Sequence, residues 1–209
     1  MIFSLTDQLV FPDPVLADED GLLAIGGDLS VERLVLAYQT GIFPWYSDYE
    51  PILWYSPHER YVIFSDEIHI SRSMRDLMRS DKYRVTQDRD FTQVISHCAR
   101  VKRKGQRGTW ITADMIDAYI KLHEKGIAHS IEVWHDDILI GGVYGVEMGD
   151  VFCGESMFSL MPNASKLALI DICRSGKYKL IDCQLHNPHL ERMGGKYIDR
   201  DEYMMFLKS

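Results

Sequence analysis

The sharpest chemical signal in the sequence is a pair of side chains. Leu180-Ile-Asp-Cys-Gln184 reads as part of a strand over 179–184, and residues two apart in a strand share a face. The carboxylate of Asp182 and the carboxamide of Gln184 are therefore expected to act on one ligand, with Ile181 and Cys183 facing the other way. A polar pair on an edge strand is ordinarily solvated, so spacing alone leaves a surface reading open. A second carboxylate, Glu155, interrupts the apolar stretch Phe152-Cys-Gly-Glu-Ser-Met-Phe158. There it is either a paired structural charge or the polar anchor of a pocket, because an unpaired buried carboxylate is costly. Two tryptophans complete the set. Trp45 follows Phe43-Pro44, and Trp110 comes just after a basic run. Flat rings beside phosphate-seeking cations suit unpaired nucleotides at a strand end, although core packing is the usual fate of a single Trp.

Other chemistries lack their residues. The sequence has no Gly-x-x-x-x-Gly-Lys-Ser/Thr phosphate loop, no Gly-x-Gly-x-x-Gly turn, no His-Glu-x-x-His pair and no Gly-x-Ser-x-Gly elbow. ATP, NAD, zinc and serine-hydrolase chemistry are all disfavoured, and no cofactor or metal is expected. Cys98, Cys153, Cys173 and Cys183 have no Cys-x-x-Cys spacing, so buried reduced thiols are the default reading. A thiol nucleophile at Cys153 or Cys183 would need a flanking cation to lower its pKa, and neither has one.

These residues need elements to hold them. The chain has 209 residues, enough for one large domain or two smaller ones, and 46% hydrophobic with 26% charged residues excludes a disordered chain. No apolar run approaches the ~20 residues of a membrane helix, and the first fifteen residues carry Asp7 and Asp13 but no Lys or Arg, unlike a secretory signal. A cytoplasmic protein with no membrane partner is expected. Five of the seven prolines fall in the first 60 residues, marking a small, loop-rich N-terminal domain with one helix, Ser30 to Gln39, capped by Ser30 and stopped by Gly41. Downstream, a helix capped by Thr112 turns Met115, Ile116, Tyr119 and Ile120 inward. A hairpin follows around Asp136-Asp137 and a second turn at Gly149-Asp150. Then come a helix near Ala164 to Arg174, the strand carrying Asp182, and a last helix near Asp201 to Leu207. The class is α+β.

The net charge of −8 conceals an uneven distribution: residues 1–71 hold two bases and twelve acids, residues 72–107 eleven bases and four acids, and residues 108–209 ten bases and fifteen acids. Within the basic island a helix beginning at Ser71 sets Arg72, Arg75 and Arg79 on one face, within about 60° of one another at 100° per residue. Met74, Leu77 and Met78 take the other face. Lys82, Arg84 and the run Arg100-Val-Lys-Arg-Lys-Gly-Gln-Arg107 extend the positive charge. A solvated face is the ordinary reading of such a helix. A stripe that is nearly all Arg also suits phosphate.

Gly-Leu-Leu-Ala-Ile-Gly-Gly-Asp-Leu-Ser (21–30), Gly-Ile-Phe-Pro-Trp-Tyr (41–46), Ile-Leu-Trp-Tyr-Ser-Pro (52–57), His-Ile-Ser-Arg-Ser-Met (69–74), Gly-Thr-Trp-Ile-Thr (108–112), His-Ser-Ile-Glu-Val-Trp (129–134), Phe-Cys-Gly-Glu-Ser-Met-Phe-Ser (152–159), Asn-Ala-Ser-Lys (163–166) and Leu-Ile-Asp-Cys-Gln (180–184) together resemble the bacterial leucyl/phenylalanyl-tRNA–protein transferases. The resemblance implies a small N-terminal α/β domain over 1–60 and an acetyltransferase-like (GNAT-like) mixed-sheet domain over 61–209. It implies an aminoacyltransferase that moves Leu or Phe from leucyl-tRNA or phenylalanyl-tRNA to the N-terminal Arg or Lys of acceptor proteins, marking them for N-end rule degradation. No DNA partner is expected, and with no coiled coil or exposed apolar helix in the pattern a monomer is the expectation. Matched by motif, Asp182 and Gln184 are the catalytic pair with Glu155 in support. Trp45 and Trp110 hold the terminal adenosine of the tRNA. Val143, Phe152, Met157, Ile172 and Ile181 line the pocket for the aminoacyl side chain, and Ile181 can do so only if its strand is an edge or is twisted. Arg72, Arg75, Arg79, Lys82 and Arg84 would meet the backbone of the acceptor stem. Two rival readings are an acyl-CoA enzyme of the same fold class and an RNA-binding protein without catalysis.

Overall fold

The computed structural model describes residues 2–101 and 109–208. Its first elements are β1 (Phe3–Leu5), β2 (Leu22–Gly26), α1 (Val31–Gln39), β3 (Phe43–Pro44) and β4 (Leu53–Tyr55). The four strands form one sheet in the order β1-β2-β4-β3. Ser30 caps α1 through its hydroxyl, as the sequence predicts, and Arg33 is buried beneath, donating to the Thr6 and Gln8 carbonyls at 2.8 and 3.2 Å.

There follow β5 (Glu59–Phe64), α2 (Arg72–Arg79), β6 (Arg84–Gln87), α3 (Phe91–Arg100), α4 (Ala113–Glu124), β7 (Ala128–His135), β8 (Ile138–Met148), β9 (Val151–Ser159), α5 (Ala164–Arg174), β10 (Leu180–Asp182), α6 (Pro188–Glu191), β11 (Lys196–Asp199) and α7 (Arg200–Leu207). Among the described residues the larger sheet has seven strands in the order β11-β5-β10-β9-β8-β7-β6. It is mixed, with β10 parallel to β9 and antiparallel to β5. The expected α+β class is observed. Strands β7 to β10 and the helix α5 fall where periodicity puts them, whereas the short strands β1 to β4 and the elements β5, β6, β11, α3 and α6 have no counterpart among the elements expected from the sequence.

The sheet lies between two apolar layers. On one face α1, α3, α4, α7 and the small sheet share a continuous core that runs from Leu23, Leu34 and Trp54 to Tyr144, Val146 and Cys153. On the other, α2, α5 and α6 cover Ile131, Val143, Phe152 and Ile181. Close approach of α5 depends on Gly141, where a Cβ would lie 2.5 Å from that of Ala164. None of the described helices is long and apolar enough to cross a membrane.

Candidate active site

Pairing between β9 and β10 ends at Cys153 opposite Asp182, and just beyond that point both strands become irregular. On β9, Tyr144 of β8 lies opposite Ser156 and Gly145 opposite Gly154, so Glu155 is an extra residue, a β-bulge. Gly145 makes room for it, since a Cβ there would lie 2.3 Å from the Cys153 carbonyl oxygen. Two residues past the end of β10, Gln184 enters the left-handed region with φ +57°. Side chains from both irregular points therefore project into the gap between the strands.

The strand-face expectation for Asp182 and Gln184 needs correcting. Strand β10 stops at Asp182, in the interior of the sheet and not at an edge, and the backbone then turns, so the two side chains do not share a face. Asp182 is 1% exposed and points into the core. Its Oδ1 accepts from the backbone N–H of Gln184 at 2.8 Å, and its Oδ2 accepts from the Tyr203 hydroxyl at 2.8 Å and lies 3.2 Å from Nε of Arg60. Arg60, also buried, lies between the rings of Phe43 and Tyr203 and donates from Nη2 to the Gly41 carbonyl at 2.9 Å. Burial works against its charge, and Asp182 with Tyr203 more than restores it, so Arg60 is held above its ordinary pKa. Asp182 acts on the gap through the backbone of Gln184.

The Gln184 carboxamide has one orientation that satisfies its surroundings. With nitrogen inward it donates to the carbonyls of Gly154 at 3.1 Å and Cys183 at 3.0 Å, whereas the reverse sets oxygen against oxygen. The carboxamide oxygen is thus presented outward as an acceptor. Glu155 lies against two phenols, its Oε1 2.7 Å from the Tyr38 hydroxyl and its Oε2 3.3 Å from that of Tyr119, and the two hydroxyls also meet each other; all three contacts are hydrogen bonds only when the carboxyl carries a proton, since the phenols bring two between them. Burial pushes its carboxyl up to about 8, against the two phenol bonds and with the negative charge of Asp182 adding to the rise.

Two cavities meet at this point. One, of about 140 Å³, is lined by Phe43, Pro44, Trp45, Trp110, Glu155, Cys183, Gln184 and Leu185. The other, of about 300 Å³, is lined by Val143, Met157, Leu169, Ile181 and Leu190 together with Gly154, Glu155, Ser156, Cys183, Gln184, Leu185, His186, Asn187 and His189. They share Glu155, Cys183, Gln184 and Leu185. Trp45 and Trp110, 65 residues apart in sequence, are thus brought to one side of Gln184, and an aliphatic pocket to the other.

Three of the five expected pocket residues, Val143, Met157 and Ile181, line that second cavity. Ile181 does so from an interior strand because the cavity lies on the face opposite the Asp182 carboxylate. Phe152 and Ile172 do not line it. Phe152 is on the correct face but three residues short of the gap, packed on Tyr178 at 5.3 Å, and α5 contributes Leu169, one turn before Ile172. Tyr38, Tyr119, Arg60 and Tyr203 were not anticipated. The thiols of Cys153 and Cys183 are pushed well above their usual pKa by burial, which disfavours a thiolate nucleophile. Among the described residues no group of His, Cys, Asp and Glu is arranged to hold a metal. A larger open cleft of about 680 Å³, bordered by Asp28, Asp48, Glu50, Asp114 and Asp117, shares no residue with either cavity.

The basic residues form a separate surface. Arg72, Arg75 and Arg79 on α2, with Lys82 and Arg84, are all exposed, while Met74 on the opposite side of α2 is buried. Arg79 lies 3.8 Å from Asp76, and Arg84 3.6 Å from Asp137. Of the run 100–107, residues 102–107 lie outside the described residues.

The sequence matches the family model described as leucyl/phenylalanyl-tRNA protein transferase over residues 62–208, and the model of that family's N-terminal domain over residues 27–58. Proteins named leucyl/phenylalanyl-tRNA–protein transferase are similar along nearly the whole chain. The Flavobacterium johnsoniae protein is 53% identical, with 100% of both chains covered, and that of Flavobacterium psychrophilum is 52% identical with 98% of each covered. The Syntrophobacter fumaroxidans protein is 50% identical over 99% of this chain and 89% of its own. The chain belongs to the leucyl/phenylalanyl-tRNA–protein transferase family.

Proposed function

We propose that the gap between β9 and β10 is where a leucyl or phenylalanyl group passes from its tRNA to the N-terminal amine of a protein whose first residue is Arg or Lys. The observation that supports this most directly is the shared wall. An aromatic cavity fit for a nucleoside and an aliphatic cavity fit for an unbranched-at-Cβ side chain touch only across Glu155, Cys183, Gln184 and Leu185. An aminoacyl ester spanning the two places its carbonyl carbon at Gln184.

The ester is already activated, so no nucleoside triphosphate is needed. The amine nitrogen bonds to the carbonyl carbon, the carbon–oxygen bond to the terminal ribose breaks, and the amine proton ends on the departing ribose oxygen. The Gln184 oxygen accepts a hydrogen bond from the attacking amine. A neutral amide is a poor base, so it contributes orientation. Asp182 positions Gln184. Glu155, ionised above about 8, offers the amine a second acceptor. Trp45 and Trp110 stack on the terminal adenosine, and Arg72, Arg75, Arg79, Lys82 and Arg84 hold the acceptor stem by its backbone, independently of sequence. Such a reaction belongs in the cytoplasm.

Purified protein mixed with leucyl-tRNA carrying labelled leucine tests the reading. Label should enter a peptide beginning with Arg and not one beginning with Glu. Transfer from an acyl-CoA in place of the charged tRNA would overturn it.

A further inference from the structure

We propose that Arg60 is a positioning residue for the transfer: its guanidinium fixes Gln184 through Asp182 and ties that residue to the Phe43–Trp45 wall of the aromatic cavity. The inference rests on the roles given above to Gln184 and Glu155. Every link is a direct contact. From the N-terminal side, the Phe43 ring lies 4.8 Å from the guanidinium carbon and the Gly41 carbonyl accepts from Nη2 at 2.9 Å. Toward the gap, Nε lies 3.2 Å from Oδ2 of Asp182, whose Oδ1 holds the backbone N–H of Gln184 at 2.8 Å. Tyr203 closes the assembly, its ring 4.6 Å from the guanidinium and its hydroxyl on Asp182 at 2.8 Å. One side chain, 3% exposed, therefore joins the wall beside the nucleoside to the residue beside the carbonyl.

Stability alone does not call for such a pair. Apolar residues of equal volume replace a buried ion pair at little or no loss, so the pair's use is sought in placement. Lysine cannot substitute, because one planar fork reaches Gly41 and Asp182 together whereas an ammonium is a single point of charge. The pair also bears on Glu155. Burial is the main cause of that residue's raised pKa, Asp182 raises it further and Arg60 lowers it, so the charge balance of the pair is readable in the Glu155 titration.

The test follows Glu155 by 13C NMR of labelled carboxyl groups, alongside steady-state transfer, in Arg60→Lys, Arg60→Met, Asp182→Asn and the double variant Arg60→Met/Asp182→Asn. Arg60→Met should move the Glu155 midpoint upward by about one pH unit, Asp182→Asn downward, and the double variant back between them. Arg60→Lys keeps the charge and loses the fork, so its midpoint should stay near that of the unaltered protein while kcat falls about tenfold from misplacement of Gln184. If Arg60→Met does not fold, Asp182→Asn and Arg60→Lys carry the same two readouts. Unmoved midpoints, or an Arg60→Lys protein with full kcat, would overturn the proposal. Midpoints that move while the pH dependence of transfer does not would leave Arg60 in its role and remove Glu155 from the chemistry.

Discussion

The gap between β9 and β10 and the basic face of α2 are built on opposite plans. In the gap the polar groups contact one another, Asp182 and Arg60 fully buried and Glu155 and Gln184 partly so: Gln184 is held by Asp182, Asp182 meets Arg60 and Tyr203, and Glu155 meets Tyr38 and Tyr119. On α2 the arginines are exposed, and their partners are other exposed groups. A buried network in a low-dielectric interior answers to geometry and pH and scarcely to salt, whereas exposed charges are screened and answer to salt. The roles proposed for the two regions, placing an ester and gripping a polyanion, are accordingly separable by experiment.

The largest expected effect is in the gap. Gln184→Ala should lower single-turnover transfer by about 10²–10³-fold with tRNA binding little changed, because the loss is of alignment and not of affinity. A wild-type rate in that variant would remove Gln184 from the mechanism. Asp182→Ala should lose activity and stability together, on the order of 3–5 kcal/mol in thermal or denaturant unfolding, since it leaves the Arg60 guanidinium buried without its partner.

The next prediction concerns pH. Transfer should rise with pH on the acid side of about 8, where Glu155 and the acceptor's α-amine both lose a proton, and Glu155→Gln should make that limb shallower while leaving the part set by the amine. Glu155 also acts on folding. Its folded pKa lies above the ordinary 4.5, so the stability it contributes is complete below that value and is lost as pH rises through about 8. Stability of the unaltered protein should decline across that window while activity rises. A Glu155→Gln protein whose unfolding midpoint keeps the same pH dependence would assign the decline elsewhere, His129 being the first alternative. That imidazole, lying 2.8 Å from Asp88 and 3.3 Å from Glu147, is held above its usual pKa chiefly by its bond to Asp88 and loses its stabilisation in the same direction.

The contrast also explains what could be read from the sequence. Helix caps, hairpins and the Arg stripe of α2 are local, and Ser30, Thr112 and Ala164–Arg174 fall as periodicity predicts. Even α3 was legible: Asp90 caps it, and Phe91, Val94, Ile95 and Cys98 recur at helical spacing, but the charged residues on either side mask the pattern. The gap is the reverse case. Its residue types are identified by family resemblance, but their orientation depends on a bulge at Glu155 and a left-handed Gln184, both of which break the alternation that would aim them. The groups that contact these side chains, Arg60 on β5 against Asp182 and Tyr38 on α1 with Tyr119 on α4 against Glu155, come from 36 to 122 positions away, and no local pattern connects them. Phe152 and Ile172 show the same limit: the family resemblance suggests them as lining, and the point where the β9–β10 pairing ends, which no local pattern gives, leaves them outside the second cavity.

On the basic face the effects should be smaller and should add. Reversing Arg72, Arg75 and Arg79 together to Glu should weaken binding of every cognate tRNA alike and reduce the slope of log affinity against log salt by roughly 2–3, near 0.9 for each phosphate no longer neutralised. Single Ala substitutions should each take about one unit or less from that slope, and their sum should approach the effect of all three changed to Ala. The reason is that the side chains stand in solvent, where charges beyond the ~8 Å Debye length are largely screened, and an exposed pair such as Arg79–Asp76 contributes well under 1 kcal/mol to holding any one geometry. In the gap, by contrast, Gln184→Ala combined with Asp182→Asn should cost little more than Gln184→Ala alone when the two are compared well above the Glu155 midpoint, since Asp182 there serves only to place a carboxamide already removed. Additive losses in the gap, or salt-insensitive binding on α2, would each reverse the assignment of that region, and titrating tRNA binding from low to high salt in the three single variants is enough to decide the second.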